Sequence, residues 1–549
     1  MSGSQAFVRQ LGEEPGVQLN PLRDESEYFA FGNADLNFGI MMRATRGRID
    51  KPFKVDRGNV RVKLGKGEQM RVSALNEAWV HVVEALNNGA YEAVVQRLVT
   101  TSAEIKWALV EVDTGTQAIT YSVSDTEPVA PYFLSIKHLG CFNDGIKVRY
   151  RADEKKVGGV AQVNDEITLQ ILDSDDVLIF EFFGSLDINA KDDYGNSLYL
   201  PDVVASFTDE LEVSVGVTGA NATVATTSVA YGYDTGGQEK WSESATLVCF
   251  DEGGTGYVTE DYSLARVKLE NTPHEYQYIA SGGSQSPALL GQLAQLAYDT
   301  NRQLRYDVPG NLGVDAAVAF VEQLNFGASQ TSHLIHGFWS PIRCDDPTGI
   351  NPKGYLGVAT LNIAYGCGRN SQRNARGFAP KNYPIAGRNW PIRRARMTQE
   401  TNPSRQQRNT LAKFKINPVL WDQFSGGGRF VFTDSLTSAL VLSSLKKLIA
   451  VADMSAEVDD SITRFGKDVL QLPMAIALKR LRNFLVDYFE GAQASGWLVQ
   501  SNEPEMEGRG WRFDIRPNAQ RPLDRIDCSY WLRYDGTVRQ IFVTQTLSR

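Results

Sequence analysis

Period-two and period-3.6 runs of apolar residues divide this chain into blocks. Near its start, residues 36–44 (LNFGIMMRA) form an apolar run of strand length, and residues 91–99 form another. Between them Leu75, Trp79, Val82, Val83 and Leu86 recur along one stripe, which predicts a helix over 74–86 with one buried face. Ser73 is its N-cap candidate, and Gly89 suits a left-handed C-terminal position. From 106 to 275 the pattern shifts to short alternating segments, with Ile146, Val148 and Tyr150, then Ile167, Leu169 and Ile171, then Leu211, Val213 and Val215 each sharing a face. Gly, Asn and Asp clusters separate them, so this stretch reads as a β-rich block.

Helical spacing returns after Gly282 and Gly283. Pro287 opens a helix through Leu293 and Leu296, and Val314, Val318 and Val321 mark the next, with strand and helix alternating from there on. Met474, Leu478, Leu481, Leu485 and Tyr488 form a stripe after Pro473, and Gly491 is the expected stop. Trp511, Phe513 and Ile515 alternate with charged neighbours, as do Cys528, Tyr530, Leu532 and Tyr534. Asp535-Gly536 follows. Both central residues of a type I′ hairpin turn need positive φ, so this pair predicts a hairpin and a terminal strand over 538–546.

Composition places the chain among folded proteins: 549 residues, 42% hydrophobic and 10% aromatic, are enough for two to four domains with proper cores. No basic-then-apolar leader precedes a small-residue cleavage site, and the most apolar helical stretch, 438–454, is interrupted by Lys446 and Lys447. Neither secretion nor membrane spanning is expected. The cysteines, Cys141, Cys249, Cys344, Cys367 and Cys528, are scattered without a CxxC pair. They read as small buried hydrophobes in a chain folded under reducing conditions, with an inter-chain disulfide left open.

The net charge of −9 hides a segregation. Residues 157–262 hold twenty acids and only two bases, Lys191 and Lys240, whereas residues 369–415 hold twelve bases and one acid, Glu400. Each block reads either as a solvated face or as a surface that docks against copies of the chain or a partner of opposite charge. The basic stretch, with Tyr383 and Trp390, invites a nucleic-acid reading. The acidic total, the lack of a nucleic-acid fold signature and the prolines at 380, 384, 391 and 403 argue instead for a charged protein interface.

No reaction chemistry assembles from the motifs. His333 and His336 in HLIH would point to opposite faces of a strand, away from a shared zinc with Cys344, and His81, His138 and His274 stand alone. SGGGR at 425–429 lacks the lysine and hydroxyl of a phosphate loop and reads as a turn before a strand at 430–432. DSDD at 173–176 lacks the glycine and terminal glutamate of a calcium loop and reads as a turn with solvated charges. No enzyme, cofactor or metal is expected.

The strand, the loop with Arg46-Gly47-Arg48 and Lys51-Pro52, the helix and the second strand together resemble the opening of the contractile tail sheath proteins of phages. In that family the loop is of the kind RGPVNKP, and the later strand of the kind AYVVRVV. Arg48 stands here where proline is usual. LGCFNDGIKVRY, DEITLQI, VLIFEFFGSLDI and YLPDVVASFTDELEVSV continue the resemblance, with Cys141 and Phe142 near where the family often has tryptophan. The run from SHLIHGFWSP to RNARGFAP adds a strand at 332–340, a helix at 354–366 and a loop at 369–380. These matches cover most of 36–100, 134–215 and 331–386.

The resemblance implies an α/β (α+β) multidomain fold. It implies an N-terminal arm (1–25) joining a tube-proximal domain (405–536), an outer α/β domain from 26–105 and 276–404, an inserted β-rich domain (106–275) and a C-terminal strand arm (537–549). It implies a non-enzymatic subunit, polymerised in stacked six-fold rings around a tail tube, that contracts to drive the tube through the host envelope. Implied partners are other copies, the tail tube protein, and baseplate and tail terminator proteins, with neither nucleic acid nor membrane. The implied location is the virion tail, assembled in the host cytoplasm. The inter-subunit arms would use Phe7, Val8, Val17 and Leu19 at one end and Val538, Ile541, Phe542 and Val543 at the other. Lys446, Lys447, Lys479, Arg480 and Arg482 are the tube-facing candidates. Hairpin logic also gives the last strand a local partner. A sheath of a non-phage injection device shares the mechanics, and a β-rich surface or glycan-binding protein built around 106–275 is the more distant alternative.

Overall fold

The computed structural model describes residues 33–542 and 545, apart from 154, 158–159, 163–164, 219 and 230–231. Among the described residues the largest sheet has eight strands. These are β1 (Asn37–Met42), β2 (Phe53–Val55), β3 (Glu92–Arg97), β4 (Tyr278–Ala280), β5 (Gln303–Val308), β6 (Ile335–Trp339), β7 (Ile416–Phe424) and β8 (Gly427–Phe432), in the order β2-β3-β1-β4-β5-β6-β7-β8. The strands from β3 to β7 run parallel, and β2 and β8 close the two edges antiparallel. Parallel strands need crossover connections, so helices cover both faces, and β1, β5 and β6 are buried along their whole length.

The covering helices are α1 (Glu77–Asn87), α2 (Thr259–Glu270), α3 (Pro287–Thr300), α4 (Val314–Leu324) and α5 (Ala359–Asn370). On one face Leu289, Leu293 and Leu296 of α3, with Leu269 of α2 and Val318 of α4, pack on Met41, Val94, Ile279, Leu304 and Ile335. On the other, Ala78, Val82 and Ala85 of α1 and Ile363 and Ala364 of α5 pack on Phe38, Ile40, Val95 and Tyr278. The stripe on α1 predicted one buried face. The helix is in fact wedged between the sheet and α5, so Glu77, His81 and Glu84 are buried as well, while Trp79 and Val83 are only half-buried. Ser73 caps the 3-10 turn Ala74–Asn76 that leads into α1, its Oγ accepting from Leu75 N at 3.2 Å. Gly89 has φ +125°, and a Cβ there would lie 2.7 Å from the Ala364 carbonyl oxygen, so glycine lets α5 come close.

Between β3 and α2 the chain leaves the sheet and builds a second core. Trp107–Val112, Ile119–Ser124, Leu134–His138 and Leu211–Val215 form a four-stranded sheet. Ile146–Ala152, Glu166–Asp173 and Leu178–Ser185 form a three-stranded one. Val110, Leu134, Ile136, Val148, Tyr150, Leu169 and Ile171 fill the space between, the alternation of the sequence becoming one buried face per strand. Residues 259–270, assigned by sequence to this β-rich block, form helix α2, which packs on the large sheet instead.

A third core lies between α6 (Ile449–Asp468), α7 (Met474–Ala494) and a ribbon of two antiparallel strands, Trp511–Pro517 and Ile526–Leu532. Phe465 of α6 stacks on Phe484 of α7 at 4.0 Å. Three expectations change here. Strands β7 and β8, placed by sequence in this last unit, continue the large sheet. Helix α7 runs through Gly491 rather than stopping, and glycine fits at that position because a Cβ there would lie 2.7 Å from the Phe378 ring. Neither Asp535 nor Gly536 has positive φ, so no hairpin forms at that pair. Asp535 N donates to Trp497 O, and residues 537–542 belong to no strand of this chain. The apolar stretch 438–454 holds a short 3-10 turn at Leu445–Lys447 and is α-helical only from Ile449, and no helix of the described residues is long and apolar enough to cross a membrane.

His138, in the β-rich block, is buried, and neither ring nitrogen has a hydrogen-bond partner among the described residues. Burial, and then Arg46 and Lys63, pull its pKa from 6.5 down to about 3. Between those two values the unfolded chain binds a proton that the folded one does not, so stability falls as pH drops through that window. The slope is ~1.4 kcal/mol per pH unit for one such group. His138→Phe keeps the ring contact with Phe142 and removes this proton uptake, so its melting temperature should fall less steeply than that of the wild type from pH 7 to pH 5. An unchanged slope in scanning calorimetry would mean that the ring titrates normally in the fold.

Candidate functional site

Charge concentrates at two joints, both internal. The first lies where the strand order reverses, at the C-terminal ends of β1 and β4, the position at which doubly wound sheets bind ligands. Here it is filled. Arg43, directly after β1, donates from Nε to Glu252 at 2.7 Å and from Nη1 to Asn76 at 2.7 Å, and also pairs with Glu68. The space left beside Arg43, Glu68 and Trp79 is about 10 Å³, room for one water. Arg46 reaches Asp144 at 2.6 Å and Asp173 at 3.1 Å, and Arg48 reaches Asp209 at 2.9 Å. Arg97, the buried last residue of β3, donates to the carbonyls of Gly47 and Cys141 and to Asn143, with its guanidinium 4.6 Å from the Phe250 ring centre. Lys63 pairs with Glu210, and Arg61 and Lys66 share Asp175.

The acidic block is therefore docked onto the loop of the first unit. Asp173, expected as a solvated turn charge, is buried against Arg46. The Asp144 carboxyl, which burial alone would raise, is held below the usual carboxylate range by Arg46.

The second joint centres on α6. Asp453 accepts from Arg369 at 2.8 Å and from Arg305 of β5 at 3.3 Å. One turn on, Glu457 pairs with Arg373 at 3.2 Å and with Lys381. Arg373 and Lys381 also reach Asp35, at 2.6 and 3.3 Å, just before β1, and Asn370 Nδ2 donates to the Asp35 carbonyl at 3.0 Å. Burial pushes the Asp453 carboxyl up, but Arg369, Arg305 and Lys381 outweigh it and hold the pKa below normal. Lys381 is likewise buried, and Glu457 and Asp35 keep its pKa above normal. Arg394 adds a bidentate pair to Glu84 of α1 at 2.7 and 2.6 Å. This corrects the reading of 369–415 as an external charged interface: Arg369, Arg373, Lys381 and Arg394 are bound within the chain. The exposed remainder includes Arg376, Arg388, Arg393, Arg405 and Arg408.

The residues expected to act between subunits are scattered. Phe7, Val8, Val17, Leu19 and Val543 lie outside the described residues. Val538, Ile541 and Phe542 are exposed, Phe542 to 90%, on a segment whose Arg539 pairs with Asp434. Among the described residues each strand of the neighbouring ribbon has only the other as partner, so each has an unpaired edge. Lys479, Arg480 and Arg482 are exposed on α7. Lys446 Nζ donates to Gln330 O at 3.0 Å and Lys447 Nζ to Leu442 O at 2.5 Å, so these two ammonium groups are partly occupied at home. His336 is buried, its Nε2 bonded to His333 O at 3.0 Å, and Cys344 sits on the separate strand Ile342–Cys344. Among the described residues no group of three or more His, Cys, Asp or Glu is placed to hold a metal. Sequence reading missed Asp453 and Glu457; their signal was two acids four apart inside the apolar run VADMSAEV.

No family model and no curated protein sequence matches this chain. Solved structures are similar to it at low identity. A sheath tail protein from Listeria innocua aligns at 11% identity over 92% of this chain and 98% of its own, with a TM-score of 0.49. A sheath tail protein from Desulfitobacterium hafniense aligns at 12% identity over 91% and 93%, with a TM-score of 0.47. The sheath complex, in its contracted state, of an extracellular contractile injection system aligns at 12% identity over 53% of this chain and 80% of its own, with a TM-score of 0.40.

Proposed function

We propose that this chain is the sheath subunit of a contractile phage tail, polymerised around the tail tube and shortening to drive it through the host envelope. Its partners in that role are other copies of itself, the tube protein, and baseplate and terminator proteins, and no bond is made or broken. One observation supports the reading above others: past Asp535 the described C-terminal segment joins no strand, with Val538, Ile541 and Phe542 facing solvent, and each strand of the ribbon before it has an edge without a strand partner among the described residues. A ribbon short of strands and an exposed apolar segment are complementary halves of strand donation between copies. Each donated backbone hydrogen bond contributes about 0.5–1.5 kcal/mol, and repetition along a polymer multiplies it. The sequence resemblance at 36–100, 134–215 and 331–386 supports the same role. In it, 1–25 and 537–549 are the arms, 106–275 is the insert, and α6, α7 and the ribbon face the tube.

Deleting residues 537–549 should leave a monomer with wild-type circular dichroism that forms no tubes in negative-stain microscopy. Tubes of normal length from that truncated chain would remove the tether role. Reversing Lys479, Arg480 and Arg482 to glutamate, with Lys446 and Lys447 as a second set, should weaken co-sedimentation with tail tubes. It should also flatten the salt dependence of that binding, since exposed charge contacts are screened over about 8 Å at physiological salt. Unchanged binding and salt response would place the tube-facing surface elsewhere.

A further inference from the structure

Helix α6 meets the rest of the chain through a row of acids with different destinations. Asp453 is tied to Arg305 of the large sheet and to Arg369 at the end of α5. Glu457 is tied through Arg373 and Lys381 to Asp35, close to the first of the described residues. Asp459 accepts the Tyr530 hydroxyl of the C-terminal ribbon. The path continues through apolar contacts: Phe465 stacks on Phe484, and Phe489 of α7 lies 5.8 Å from Trp511 and 6.0 Å from Tyr530. Beyond the ribbon, Val499 N donates to Arg533 O and Arg533 N to Gly510 O, holding the chain until it turns outward.

We propose that α6 is the tension-carrying strut of the subunit: a pull on the chain ahead of Asp35 passes through Arg373, Lys381 and Glu457 into α6 and on to the C-terminal ribbon. This inference rests on the tether reading above, because only a subunit pulled by its ends needs such a strut. The geometry is specific to that task. The Asp35 carboxylate is held from two sides by cations that both also grip Glu457, and its backbone carbonyl is held by Asn370. A pull on one point is thereby shared among three side chains, Asn370 at the end of α5 and Arg373 and Lys381 on the connector that follows it. Lys381 and Glu457 are buried, so their pairing is little screened by salt.

The test uses the single full-length chain and does not depend on tube formation. Arg373 is partly exposed, so Arg373→Gln leaves the buried Lys381–Glu457 pair in place and should fold. Hydrogen exchange at residues 33–42 should accelerate about tenfold or more, the factor equivalent to ~1.4 kcal/mol of lost local stability, while α7 stays protected as in the wild type. In an optical trap pulling on the two termini, the variant should release its N-terminal residues at lower force than the wild type. The double exchange Lys381→Glu with Glu457→Lys, which keeps a buried pair but sets a second carboxylate against Asp35, should lower the release force as well. Unchanged exchange and unchanged rupture force in Arg373→Gln would overturn the strut. Absence of tubes from wild-type protein would instead remove the tether reading, so the two failures can be told apart.

Discussion

Burial of the ion network on α6 is the constraint on which the remaining arrangement depends. Asp35, Asp453 and Glu457 face Arg305, Arg369, Arg373 and Lys381, and most of these groups are shielded from water. Removing a charge from water costs several kcal/mol, and the cost is offset only where geometry is right and every partner is present. Well-packed apolar residues could supply the same stability. What they could not supply is the requirement that β5, the end of α5, the 369–381 connector, the chain entry and α6 all meet at one point. The network fixes how the unit with α6 and α7 sits against the large sheet, and loss of one partner costs about 3–5 kcal/mol because it strands the others.

The joint at β1 and β4 follows the same logic. An open crevice at the reversal of strand order suits a small ligand, but here Arg43 and Glu252 occupy it, and Arg46 and Arg97 extend the contact onto the β-rich block. The block is attached by two chain crossings, through the short pairing of Glu104–Ile105 with Phe250–Asp251. Without the arginines such a narrow stalk would leave it free to swing. Asp173, Asp175, Asp209, Glu210 and Glu252 of the acidic block are thus paired with bases of the first unit inside one molecule, while most of the block's other acids stay exposed. Part of a charge run for which the sequence left open a solvated face or a docking surface is an intramolecular seam.

Much of the scaffold was legible because it rests on short-range periodicity. The apolar runs that became β1 and β3, the helix that Pro287 opens, and the alternation of Ile146, Val148 and Tyr150 each depend on neighbours a few residues apart. The errors share the opposite cause. Gly491 looked like a helix stop, yet its lack of a side chain answers to Phe378, more than a hundred residues away. Asp535-Gly536 looked like a hairpin, but the backbone there is committed to Trp497. Arg369 and Arg373 each find their acid 84 residues along the chain, a distance at which charge pattern carries no partner information. Of the candidate arm residues, the apolar character of Val538, Ile541 and Phe542 was visible in sequence, whereas their exposure needed coordinates.

The two ends of the described residues are held by contacts of very different strength. At the N-terminal entry, Asp35 is buried and multiply bonded. At the C-terminal exit the described segment is held by Arg539 on Asp434, a pair accessible enough to solvent to be screened. Pairs of that kind contribute about 0–1 kcal/mol, several-fold less than the cost of stranding a charge at α6. Under load or rising salt the C-terminal segment therefore lets go of its own body first, and the joints last.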